Sequence, residues 1–300
     1  TLTKADQDLL EDYLVENMSW ITSQNGVTWR GVTYPRADYE SVVPKDAAGN
    51  VDVSGGFLFE LDGYYDEVSR FKTAYDQPFM FKSPEFIAPV TSNNYANCQE
   101  LADYAKNYIQ AVENSVHADD YYTSWQGERV HYTDLVDMDS LVRYFVLNEF
   151  FWNTETMKKS TYMYKDLGGK LYIGPVWDMD WTSNSLVSQE ETWNYNVWMT
   201  KDRSNEAQKE QWYKYLIGDP YFAAKVYEVY QENKDNFENI IKTDGIIDQQ
   251  KVYLQESGTA NYQSNYLRNN ILYQQDSEFS RGVERLRTFL RNRKNWMRTN

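Results

Sequence analysis

Apolar residues recur along the chain in two rhythms, and each rhythm predicts its own kind of element. Between Thr3 and Ser23, Leu10, Tyr13, Leu14, Met18 and Ile21 share one helical face, with Thr3 placed to cap and Asp6 and Asp8 in the first turn. Residues 25–50 break into short aromatic pieces between the turn-forming stretches TYPRADY and KDAAGN, which predicts loops and one or two short strands. In DVSGGFLFELDGYYDE the period changes to two: Phe57, Phe59 and Leu61 alternate with Leu58, Glu60 and Asp62, a strand entered through a Gly55-Gly56 bend. Helical spacing returns in residues 95–114 with Leu101, Tyr104, Ala105, Tyr108, Ile109 and Val112.

The segment DMDSLVRYFVLNEFFW predicts a helix capped at Asp139 or Ser140, with apolar side chains around nearly its whole circumference. Such a helix must be buried on most sides, so Asn148 and Glu149 inside it need internal partners. Two strand-like runs follow, STYMYKD and GGKLYIGPVWD, joined tightly through residues 166–169. The second run predicts that Leu171, Tyr172, Ile173, Val176 and Trp177 enter an interior and leave Asp178 and Asp180 at its end. Beyond Trp193 the pattern is helical: QWYKYLIG stops at Gly218, a long helix starts with Pro220 in its first turn, and SRGVERLRTFLRNRKNWM closes the sequence. The cations of this last helix are expected to neutralise an acidic body. With no internal repeat and no low-complexity linker, the pattern gives one continuous α+β domain over residues 1–300, its first 51 residues a leading helix and loops.

Composition narrows the chemistry. Forty-five acidic against 30 basic residues give a net charge of −15, which excludes electrostatic binding to nucleic acid or anionic membrane. No apolar run is long enough to span a membrane, and the first residues have neither the basic nor the apolar region of a leader. The single cysteine, Cys98, rules out an internal disulfide and a cysteine-cluster metal site. His117 and His131 are too few for a zinc site or a Ser-His-Asp triad, so any chemistry rests on carboxylates. Twenty-six Tyr, 10 Trp and 13 Phe provide core but also stacking surface, for which Trp125, Trp181, Trp193 and Trp198 are the candidates.

A hairpin returns the chain to its start, so the polar loop Asn153-Thr154-Glu155-Thr156 and Ser160 are predicted to lie beside Asp178 and Asp180. If residues 178–180 continue extended, the two aspartates point to one face about 6 to 7 Å apart at their Cα atoms. Three like charges at that range raise one another's pKa and call for a cation, either a metal or a basic partner among Lys158, Lys159 and Lys165. All-oxygen donors suit magnesium, manganese or calcium. The residues alone leave three readings open: metal-dependent chemistry, aspartates that only cap turns, and a glycosidase pair such as Glu149 with Asp178.

The stretch NEFFWNTETMKKSTYMYKDLGGKLYIGPVWDMDWT resembles the signature of the CotH family, spore-coat-type atypical protein kinases also found as domains of secreted bacterial proteins. GGFLFELDGYYDE with FKTAYDQPFMFKSPE is similar to a second block of that family and WYKYLIGDPYF to a third, so the likeness spans roughly residues 52 to 300. The resemblance implies an atypical protein-kinase-like fold, with a helix–loop–β-hairpin catalytic core and a mostly helical C-terminal subdomain. It also implies phosphoryl transfer from ATP to protein hydroxyls with Mg or Mn. Glu155 then stands in the place of the catalytic aspartate and Asp178, 23 positions on, in that of the metal-binding aspartate. Asp180 would be a second metal carboxylate or one that supports the metal ligand from behind, and Lys158, Lys159 and Ser160 are the nucleotide contacts that the resemblance implies. Two positions depart from the family: Glu155 is one methylene longer than aspartate, and Ser160 replaces a metal-binding asparagine. The nucleotide-covering strands expected upstream of residue 52 have no likeness in Thr1 to Asn50, which implies that this lobe is missing. An inactive extracellular module binding protein or polysaccharide is the alternative that these departures favour. Either way the implied setting is secreted or on a bacterial cell surface, with a leader not present in this chain.

Overall fold

A computed structural model describes residues 26–29, 32–35, 47–49, 52–66, 70–83, 96–183, 195–202, 211–263 and 278–300 of the chain. The helix expected over Thr3 to Ser23 lies outside them. Two compact units divide the chain: Thr1–Asp137 with Thr161–Pro175, and Met138–Ser160 with Val176–Asn300.

Among the described residues the first unit opens on a small antiparallel hairpin, β1 (Gly26–Trp29) and β2 (Val32–Pro35). Its sheet is built from β3 (Phe57–Leu61), β4 (Arg70–Lys72), β5 (Pro78–Ser83), β8 (Thr161–Lys165) and β9 (Leu171–Ile173). The order is β4-β5-β3-β8-β9 and every pairing is antiparallel. The period-two pattern explains the sheet's buried face: Phe57, Phe59 and Leu61 join Phe71, Phe79 and Phe81 there, and Phe71 stacks on Phe79 at 5.5 Å. Helix α1 (Ala96–His117) contributes Tyr104, which stacks on Phe57 at 6.2 Å. A second hairpin, β6 (Tyr122–Trp125) and β7 (Glu128–His131), leads into the one-turn helix α2 (Tyr132–Leu135), whose cap is His131. Tyr108 on α1 donates to the Leu135 carbonyl at 2.6 Å.

The Gly55-Gly56 bend is a steric requirement. A Cβ at Gly55 would lie 2.1 Å from the Asp166 carbonyl oxygen, and Gly56 has φ +81° while its N–H donates to the Lys165 carbonyl at 2.7 Å. Lys165 is buried: its ammonium donates to the Ser54 carbonyl and lies 4.8 Å from the Tyr108 ring centre, and burial pulls its pKa down to about 8.

The second unit is helical: α3 (Met138–Phe151), α4 (Met199–Asp202), α5 (Trp212–Leu216), α6 (Pro220–Ile241), α7 (Ile246–Tyr253), α8 (Gln255–Gln263) and α9 (Phe279–Met297). Helix α3 begins just ahead of the predicted caps and buries Leu141, Val142, Tyr144, Phe145, Val146, Asn148, Glu149 and Phe150, as its all-round apolar pattern requires. Phe150 stacks on Phe237 of α6 at 4.2 Å, and burying such a ring contributes about 2 to 3 kcal/mol. Tyr213 on α5 donates to the Leu141 carbonyl at 2.9 Å. Asp219 caps α6 by accepting from the Tyr221 N–H at 3.0 Å, with Pro220 in the first turn. The sheet of one unit and the helices of the other make the chain α+β. Among the described residues no helix is long and apolar enough to cross a membrane.

Candidate functional site

Glu149, in the last turn of α3, is wholly buried and fully partnered. It accepts from Arg293 Nη2 at 2.6 Å and from the backbone N–H groups of Met199 and Thr200 at 2.8 and 3.1 Å. Arg293, on α9, also donates through Nε to the Glu149 carbonyl at 2.8 Å and to the carbonyls of Tyr195 and Val197. Its guanidinium lies 4.7 and 4.8 Å from the rings of Trp296 and Trp152. Burial pushes the Glu149 carboxyl up, against the pull of Arg293. A glycosidase pair of Glu149 with Asp178 is thereby ruled out, because Glu149's oxygens are taken up in this internal ion pair. The fully buried Arg293 of the basic terminal helix thus serves one carboxylate, Glu149, while Arg287 pairs with Asp248 and Glu284.

The chain leaves α3 through a Schellman turn. Trp152 N–H donates to the Glu149 carbonyl at 3.3 Å and Asn153 N–H to the Asn148 carbonyl at 2.9 Å, with Trp152 at φ +53° in the position glycine usually takes. A left-handed tryptophan is costly, and the packing of Phe289 and Arg293 on its ring holds it there. Met157, Ser160, Asp178 and Ser183 also have positive φ, so left-handed residues recur through both loops of the site.

Loop 152–160 and arm 176–183 are joined by neutral groups. The N–H and Oγ1 of Thr154 donate to the Trp181 carbonyl at 3.4 and 3.3 Å, and the N–H and Oγ of Ser183 to the Phe151 carbonyl at 2.7 and 2.9 Å. Asn153 Oδ1 accepts from the Glu155 N–H at 3.1 Å, and Gln211 Nε2 donates to the Thr156 carbonyl at 2.7 Å. These bonds bring one carboxylate oxygen each from Glu155, Asp178 and Asp180 within 4.8 Å of one another. Glu155 is 8% exposed, whereas Asp178 and Asp180 are exposed. Burial raises the Glu155 pKa, Lys159 lowers it at 3.4 Å, and the two aspartates raise it further. Burial also raises Asp180, helped by the neighbouring Asp178 carboxylate. Ser160 Oγ donates to Asp178 Oδ2 at 3.3 Å.

The structure therefore brings together Glu155, Lys159, Ser160, Asp178 and Asp180. Lys158 is half-exposed and forms no ion pair with these carboxylates, and Lys165 is committed to the Ser54 carbonyl in the first unit. The route differs from the extended strand expected. Ladder pairing ends at Ile173, because Pro175 has no N–H to continue it, and Asp178 turns into the left-handed region at φ +55°. Once alternation stops there, Val176 and Trp177 do not enter the interior and are 44% and 59% exposed. Of the aromatic candidates, Trp181 is 40% exposed; Trp125 packs on Tyr104 and Tyr108, Trp198 packs on Phe145 and Trp296, and Trp193 lies outside the described residues. Sequence reasoning missed the linking roles of Asn153, Thr154 and Ser183. All three are buried without being charged, and the sequence marks only the polar pair Asn153-Thr154 directly after the apolar run of α3.

Residues 52–297 match the family described as CotH kinase protein. No curated protein and no solved structure matches the chain.

Proposed function

The chain belongs to the CotH kinase protein family, and from that premise we propose that its second unit transfers phosphate from ATP to a protein hydroxyl on an atypical protein-kinase-like fold. The observation that carries this reading is the convergence of Glu155, Asp178 and Asp180. Three carboxylates, grouped with no histidine or cysteine among the described residues, fit a hard divalent ion, Mg or Mn. Such an ion would supply neutralisation of phosphate charge. Asp178 and Asp180 would hold it, and Ser160 would orient Asp178 through its hydroxyl. Glu155, drawn toward its protonated form by burial, accepts the proton of the acceptor hydroxyl. Lys159 balances Glu155 and would face the transferred phosphate.

Thermal denaturation tests this directly. ATP with Mn²⁺ should raise the melting temperature, Asp178→Ala should erase the rise, and Glu155→Gln should keep it while abolishing transfer of radiolabelled phosphate. A melting curve indifferent to every nucleotide and cation would remove the proposal.

A second reading is favoured by the departures at Glu155 and Ser160 and by the exposed rings of Trp177 and Trp181 beside the carboxylates. It makes the chain a non-catalytic module that binds a protein or a polysaccharide-associated partner by aromatic stacking. Glycan binding that survives Asp178→Ala but not Trp177→Ala with Trp181→Ala would select it. The setting proposed for either reading is secreted or on the bacterial cell surface, in keeping with an acidic, aromatic chain that has one cysteine.

A further inference from the structure

We infer that Asn153 is the positioning residue of this site, fixing Glu155 against the arm that carries Asp178 and Asp180. The inference rests on the metal-site reading above and adds to it a residue that touches neither substrate nor cation. Asn153 is 3% exposed, so each of its polar atoms needs a protein partner. Its Nδ2 donates to Asn148 Oδ1 at 2.8 Å, and Asn148 Nδ2 in turn donates to the Tyr144 carbonyl at 2.8 Å, which ties the amide to the body of α3. The same Nδ2 lies 3.5 Å from the sulfur of Met179, the residue between the two aspartates. Its Oδ1 accepts the Glu155 N–H at 3.1 Å. One side chain therefore touches the helix, the loop of the catalytic acid and the arm of the metal-binding acids.

The chemistry of the position admits few substitutes. It needs two donors and one acceptor at a fixed length from the backbone; aspartate has no donor, and glutamine is a methylene too long. The position follows the left-handed Trp152 directly, so its backbone is already set by the Schellman turn. Its side chain then converts the end of a rigid helix into the placement of Glu155. Through its contact with Met179 it also steadies the two aspartates that would hold the cation, and groups that orient ligands commonly change cation affinity by about 10- to 100-fold when removed.

Two readouts test the inference on the whole chain: Mn²⁺ affinity by paramagnetic resonance, and amide hydrogen exchange at Glu155. Asn153→Ala should weaken Mn²⁺ binding at least about ten-fold and speed exchange at Glu155. Asn153→Leu, which keeps the volume, should do the same and serves if the alanine variant does not fold. Tyr213→Phe deletes a buried bond in the same unit whose two ends, Tyr213 and Leu141, belong to neither loop 152–160 nor arm 176–183, and should lower the melting temperature while leaving both readouts unchanged. Unaltered Glu155 exchange in both Asn153 variants overturns the inference, as does an equal loss of affinity in Tyr213→Phe. If the parent protein binds no Mn²⁺, the metal reading falls, and exchange at Glu155 alone decides the role of Asn153.

Discussion

Glu149 and Glu155 lie six residues apart in one unit and have opposite surroundings. Glu149 is sealed in and meets an arginine and two backbone donors. Glu155 lies at a loop among two further carboxylates, with a lysine at 3.4 Å. The difference teaches how one residue type is divided between architecture and chemistry. Where charge is matched, the group holds structure; where like charges gather, the fold tolerates a local penalty that a cation can relieve.

The harshest way to break the comparison is Arg293→Met. It strands Glu149 without its counter-charge, and breaking a buried pair from one side costs about 3 to 5 kcal/mol, to be read from urea denaturation. Replacing both partners, Glu149→Leu with Arg293→Met, should recover most of that loss. At the open centre the sign reverses. Asp180→Asn removes a like charge and should stabilise the cation-free protein by about 0.5 kcal/mol or less, since the group is largely solvated. Its pH dependence follows from the raised pKa. The folded state holds the proton more tightly than the unfolded state, so the penalty is absent below the ordinary carboxylate range. It grows as pH rises through the raised value and is complete above it. The gain from Asp180→Asn should therefore be present at neutral pH and vanish in acid. The smallest effect is expected from Lys159→Gln, which removes the cation beside Glu155. It should lower cation-free stability by about 0.5 kcal/mol or less, opposite in sign to Asp180→Asn in the same melting experiment.

Periodicity made the main elements legible. The all-round apolar run of α3, the alternation of β3 and the Asp219-Pro220 start of α6 each follow from local rules, and the structure contains all three. The closeness of Glu155 to Asp178 and Asp180 was also legible, because a tight hairpin must return the chain to its start. The path beyond Pro175 was not, since left-handed Asp178 follows from bonds made to loop 152–160, and no local pattern encodes those. The partner of Glu149 was equally hidden: Arg293 is one of several cations on an amphipathic helix, and only tertiary packing selects it. Lys159 could not be told from Lys158 or Lys165 by spacing alone.

The pairing of Glu149 with Arg293 spans 144 residues, and this sets an order of events during synthesis on the ribosome. Glu155, Asp178 and Asp180 emerge long before α9, yet the turn that carries Asn153 leans on a helix end whose carboxylate has no counter-ion until α9 arrives. The nascent second unit should stay open to protease between its first and last helices, and become resistant only once residue 293 has left the exit tunnel.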